Sequence, residues 1–211
     1  MTTLYIYHPS IILFSINIDI RSKHLVYSAT RATKTMVPSQ ALSGLVLLLL
    51  LVSSGASVLE DTCKSFGANH KDIGYDYCVK FFQAEKGRAT ADKRGLAVMA
   101  AKITRATAAS TDKRIAALKS SVKDKKVRSG LDDCKDLYSG AVDQLVAAAK
   151  GVAAGTPQGL KDAVTNLSAV MDAPQTCEDG FQELEVKSPL ADEDSEFTKE
   201  VSVALVITSS L

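Results

Sequence analysis

The groups through which this chain could do chemistry are few. Beyond residue 57 they are four cysteines (Cys63, Cys78, Cys134 and Cys177), a single histidine (His70) and two carboxylate clusters. The clusters are Asp132, Asp133 and Asp136, then Glu178, Asp179 and Glu183. With His70 as the lone histidine, in the turn expected between two short helices, a Ser-His-Asp or Cys-His constellation is not expected. The carboxylates fall on helix faces outside the apolar seams, where solvated side chains are expected rather than an acid–base pair. Gly151-x3-Gly155-Thr156 lacks the Gly-Lys-Ser/Thr ending of a phosphate loop, and no strand precedes it. No Cys-x-x-Cys pair is present, so a zinc site is not expected. The reading is of a protein with no catalytic residues, no cofactor and no metal. Asn166-Leu167-Ser168 is a glycosylation acceptor sequence, placing Asn166 as a candidate acceptor on a helix.

The cysteines gain meaning from what precedes them. Leu42 to Val52 is an unbroken run of apolar and small residues, followed by Ser53-Ser-Gly-Ala-Ser57. That is a secretory hydrophobic segment with small residues at the cleavage positions. Eleven residues are too few to span a bilayer, which takes about 20. Residues 36–57 therefore read as a signal peptide beginning at Met36, cleaved after Ala56 or Ser57. Residues 1–35 read either as a gene-model extension or as an additional basic presequence. The processed chain then starts near Val58 and is a single domain's length. An even set of cysteines behind a leader implies two disulfides. Sequence proximity favours Cys63 with Cys78, and the helical seams below favour Cys134 with Cys177.

Those cysteines must be positioned by helices. Leu131, Cys134, Tyr138, Ala141, Leu145, Ala148 and Val152 step alternately by three and four residues. So do Leu160, Ala163, Leu167, Val170, Pro174, Cys177, Phe181 and Leu184. Both are apolar seams of antiparallel bundle helices. Between them, Gly155-Thr156-Pro157 supplies a glycine stop, a threonine cap and a proline at the first helical position. Closing that hairpin brings Cys134 level with Cys177. Pro174 is expected to kink the second helix. Upstream, residues 58–86 read as a hairpin of short helices, Val58–Phe66 and Tyr75–Phe82, broken at Gly67-Ala-Asn-His70. A long alanine-rich helix follows over Ala91–Val122, with Leu96, Met99, Ile103, Ala106, Ile115, Leu118 and Val122 inward. Lys123–Arg128 reads as a solvated connection. A last helix, capped at Ser188-Pro189, carries Phe197, Val201, Ala204, Leu205, Thr208 and Leu211, with Glu193, Asp194 and Glu196 at its dipole-favoured N-terminus. No alternating strand pattern is read anywhere in the chain. The expected fold is all-α: an up-down-up-down four-helix bundle over residues 87–211 with a short N-terminal helical hairpin.

Three fragments in order resemble a known family, the plant invertase and pectin methylesterase inhibitors. They are Thr62-Cys63 with Tyr75-Asp-Tyr-Cys78, Leu167–Met171 leading to Gln175-Thr-Cys-Glu-Asp-Gly-Phe181, and Ser188-Pro-Leu190 with Val203–Thr208. The resemblance spans Asp61 to Leu211. It implies the same bundle and the same cysteine pairing, first with second and third with fourth. It also implies a secreted inhibitor, destined for the cell wall or the vacuole, that blocks a carbohydrate-active enzyme (pectin methylesterase or acid invertase) in a stoichiometric complex. No catalytic domain follows Leu211, so the free-standing form is implied. By the same analogy Thr156, Pro157 and Gln158, in the central turn, are the candidate contacts. Some invertase inhibitors carry Pro-Lys-Phe there; this chain keeps the proline and has Gln158-Gly159 instead.

Removing Arg21, Lys23, Arg31, Lys34 and Asp19 with the leader leaves 21 basic and 23 acidic side chains. A near-neutral chain is a poor match for nucleic acid, and no apolar run offers a membrane anchor. The alternative function is a non-inhibitory bundle holding an apolar small molecule. Its alanine-rich seams argue for close helix packing instead.

Overall fold

The computed structural model describes residues 3–8, 12–18, 25–30 and 58–211. The expected signal peptide, 36–57, lies outside the described residues. The chain divides into two units, residues 1–46 and 47–211. In the first, β1 (Thr3–His8), β2 (Ile12–Ile18) and β3 (Leu25–Thr30) form an antiparallel sheet in sequential order. Tyr5 pairs with Ser15, and Ile16 with Tyr27. These strands correct the reading that no strand pattern occurs: isoleucine, tyrosine and threonine recur in them, residue types that suit a pleated surface.

The second unit is helical throughout. Its elements are α1 (58–69), α2 (Gly74–Phe81), α3 (Lys93–Ser121), α4 (Lys125–Ala154), α5 (Pro157–Glu183) and α6 (Ala191–Ser209). The four long helices form a closed ring: α3 packs on α4, α4 on α5, α5 on α6, and α6 back on α3. This is the expected up-down-up-down bundle. The α4 seam is buried at every position from Leu131 to Val152, and that of α5 from Ala163 to Phe181. Tyr138, Phe181 and Phe197 are among the largest side chains in the core.

Several local readings need correction. Helix α1 does not break after Phe66; it continues to residue 69 through Gly67. The glycine serves packing there, because a Cβ would lie 2.6 Å from the Tyr75 nitrogen. Phe66 stacks on His70, ring centroids 4.8 Å apart. On α3, Ala106 is exposed, and the buried face is Leu96, Ala97, Ala100, Ala101, Thr104, Ala108, Thr111 and Ile115. An alanine-rich helix with little hydrophobic contrast leaves its inward direction poorly marked. Much of the Lys123–Arg128 stretch is helical: Asp124 caps α4, its Oδ1 accepting from the Lys126 amide at 2.8 Å. Helix α6 starts at Ala191, and Ser188 Oγ accepts instead from the Leu190 amide at 3.0 Å. Helix α5 runs on through Pro174. The proline's missing N–H leaves the Val170 carbonyl without its helical partner. Leu211 is 40% exposed and off the seam.

Close helix approach yields a paired prediction. A Cβ on Gly151 would strike the Gly159 carbonyl oxygen, backbone against backbone, whereas a Cβ on Gly140 meets nothing within 4 Å. Gly151→Ala is expected to destabilise by about 1–3 kcal/mol. Gly140→Ala, on the exposed side of the same helix, is expected to stabilise by up to about 1 kcal/mol. Urea unfolding of the two variants checks both signs.

Candidate functional site

Two disulfides tie the elements that carry the site. Cys63–Cys78 staples α1 to α2, with Cα atoms 5.5 Å apart, and Cys134–Cys177 joins α4 to α5 at 4.9 Å. No described cysteine is free. The second bridge closes the open end of the α4–α5 hairpin. The other end is closed by the turn that contains the candidate contacts.

That turn is rigid for local reasons. Gly155 takes φ +64°, the left-handed conformation that ends α4, and its amide donates to the Gly151 and Val152 carbonyls. Thr156 caps α5, its Oγ1 accepting from the Gly159 amide at 3.0 Å. Pro157 follows at the first helical position with φ already set. Gln158 Nε2 donates to Asp162 Oδ1 at 2.7 Å. Thr156, Pro157 and Gln158 are all exposed. Behind them the chains approach closely: a Cβ on Gly155 would strike the Arg94 guanidinium from the start of α3. The turn therefore presents three adjacent exposed side chains on a backbone fixed by capping and packing. It holds no nucleophile and no acid–base pair.

Asn166 sits mid-helix on α5, half-buried, its Nδ2 donating to the Asp162 carbonyl at 2.9 Å. Glycan transfer there has to precede formation of α5. A groove of about 400 Å³ lies where α1 meets the start of α3 and the end of α6, lined in part by Phe66, Val206, Ile207 and Lys93. It is open at its surface.

The acidic groups behave differently from expectation on one helix. Asp132, Asp133, Asp136, Asp179 and Glu183 are exposed, as the seams imply. Glu178 is only half-exposed, and its Oε1 is buried without a hydrogen-bond partner. It faces Asp194, which is 3% exposed rather than a solvated helix-terminal charge. Tyr138 donates its hydroxyl to Asp194 Oδ1 at 2.5 Å. Oxygens of Glu178 and Asp194 lie within 4.8 Å of each other and of Cys177 Sγ. The Cys177 sulfur is committed to the disulfide, so two carboxyl groups remain, too few to enclose a hard cation. Burial, then contact with Glu178, pushes the Asp194 carboxyl up to about 8, and the Tyr138 hydrogen bond opposes that shift. Burial and the adjoining Asp194 push the Tyr138 phenol up as well. Extending the α6 seam one step towards its start reaches Asp194 from Phe197. That spacing was the signal for its burial.

The described helical unit is thus a closed ring of four long helices, braced by two disulfides and displaying one capped, exposed turn. The family described as "Plant invertase/pectin methylesterase inhibitor" matches residues 57–207, and the chain belongs to it. A protein of Platanus acerifolia named "Putative invertase inhibitor" is 30% identical over 79% of this chain and 92% of its own length. A "Pectinesterase inhibitor" of Actinidia deliciosa is 29% identical over 70% of this chain and 82% of its own length. The crystal structure of a mutant form of a pectin methylesterase inhibitor from Arabidopsis superposes with a TM-score of 0.56 at 25% identity, covering 65% of this chain and 89% of that one.

Proposed function

We propose that the protein is a secreted inhibitor that docks on a plant pectin methylesterase or acid invertase and blocks its active-site cleft. The observation that carries this reading is family membership over residues 57–207, a span that contains both disulfides and the exposed turn. The turn supports it physically. Thr156, Pro157 and Gln158 are prepositioned, so little ordering entropy opposes their entry into a cleft. The complex is one-to-one, because one copy presents one such turn. Relatives include an Arabidopsis protein named "Cell wall / vacuolar inhibitor of fructosidase 2", and no helix of the described residues is long and apolar enough to cross a membrane. Delivery through the 36–57 leader to the wall or the vacuole accords with both.

The turn is tested by a Pro157→Ala/Gln158→Ala double substitution in the processed, oxidised protein. Both side chains are exposed, so the unfolding midpoint should move little. The inhibition constant should weaken at least about tenfold, the equivalent of one lost contact of about 1.4 kcal/mol. An unchanged inhibition constant would move the interface to another surface of the bundle.

A further inference from the structure

Helix α6 carries two acids whose surroundings suit a carboxyl group and not a carboxylate. Asp194 receives one hydrogen bond, from Tyr138 on α4, and its Oδ2 has no partner. Across from it on α5 stands Glu178, with a buried oxygen equally unpartnered. Two carboxylates in that contact would repel; one proton between them satisfies both orphan oxygens. Two turns along the helix, Glu200 is 8% exposed. Its Oε1 accepts from the Thr107 hydroxyl of α3 at 3.0 Å, and its Oε2 has no partner. The nearby cations are engaged elsewhere. Arg114 of α3 pairs with Glu193, and Lys199 reaches Glu196 and the face of the Tyr77 ring. On the α2 side Tyr77 donates to Glu196 at 2.8 Å, leaving only further acidity near Glu200. Among the described residues no Lys or Arg forms an ion pair with Asp194, Glu178 or Glu200.

We propose that α6 docks onto the bundle through protonated Asp194 and Glu200, so that the fold is built for an acidic compartment and loosens as the pH rises towards neutrality. The direction of the shifts agrees. Burial first, and Glu178 next, lifts Asp194 from 3.8 to about 8. Burial lifts Glu200 from 4.5 to about 7, against the Thr107 hydrogen bond and with help from Glu196. A carboxyl group whose folded pKa is raised holds a proton that the unfolded chain gives up. Stability is then greatest below the unfolded pKa. It falls as the pH rises, through about 4 to 8 for Asp194 and about 4.5 to 7 for Glu200. Each group lowers the folding equilibrium constant by up to about tenfold per pH unit inside its window, and the decline ends above it. This device belongs to the fold and does not depend on which enzyme is bound.

The test is urea unfolding of the processed, disulfide-intact protein across pH 5 to 8. The folding equilibrium constant should fall by more than about a hundredfold between pH 5 and pH 7.5. Asp194→Asn combined with Glu200→Gln should cut that fall below about tenfold. A pH-independent constant in the unsubstituted protein overturns the proposal, as does an equally steep profile in the double variant. Should the variant fail to fold, proton release on unfolding of the unsubstituted protein at pH 6 decides. Release of about two protons per molecule is expected, and release of none overturns it.

Discussion

Replacing Cys134 and Cys177 together by alanine is expected to lower the unfolding free energy by about 4 kcal/mol. The bridge spans a separation of 43 residues, and the larger the loop it closes, the more conformational freedom it removes from the unfolded chain. The Cys63–Cys78 pair closes only 15 residues, and its removal is expected to cost about 3 kcal/mol. Against a typical total of about 5–15 kcal/mol, either loss is large. The consequences should differ in place. Without Cys63–Cys78 the short α1–α2 hairpin loses its staple, since neither segment sustains a helix alone. Without Cys134–Cys177 the far end of the α4–α5 hairpin opens, and the turn at the other end loses part of its fixed geometry. Urea unfolding, read by circular dichroism, should place the Cys134/Cys177 variant below the Cys63/Cys78 variant. Equal stabilities, or no loss in either, would contradict this dependence on loop length.

The α4–α5 hairpin was the most legible part of the chain for the same reason that its bridge matters. Its seams alternate strong apolar residues with clear polar faces. Leu131, Tyr138, Leu145 and Val152 on one side, with Leu167, Val170 and Phe181 on the other, could face only inward. The turn was equally plain, because Gly155, Thr156 and Pro157 each have one conformational use there. Legibility failed where side chains are small or where tertiary contact overrode a local rule. Ala106 and Ala108 look alike in the sequence, yet only Ala108 is buried, since alanine fits either face. Gly67 looked like a helix stop and proved to be clearance for the Tyr75 backbone. Asp194 looked like a helix-dipole partner, because charge near a helix N-terminus usually is. Its burial depends on Tyr138, 56 positions away, and no local rule connects those two residues. The candidate contacts of the turn came from the family resemblance; spacing gave their rigidity and exposure, and the partner's shape gives the rest.

The second large effect is expected at Phe197. Its ring is fully buried on α6, tilted against Tyr138 with centroids 5.1 Å apart. Phe197→Ala should cost about 3–5 kcal/mol, through lost burial and the cavity left between α4 and α6. Tyr138 would also lose the neighbour that holds its hydroxyl on Asp194. The loss should therefore be accompanied by a changed pH profile of unfolding, which a simple cavity in an apolar region would not produce. Phe181→Ala is the control. Its ring packs over Gly130, about two turns along α4 from Tyr138, so it should destabilise with the pH profile kept.

Members of this family are inhibitors of pectin methylesterase or invertase, and inhibition is what this bundle must display. The most direct measurement titrates the processed, oxidised protein into two assays at mildly acidic pH, one with a plant pectin methylesterase and one with a plant acid invertase. Saturable loss of activity is expected in one assay, reaching completion at one inhibitor per enzyme. Full activity in both, with both disulfides verified by mass, would contradict it.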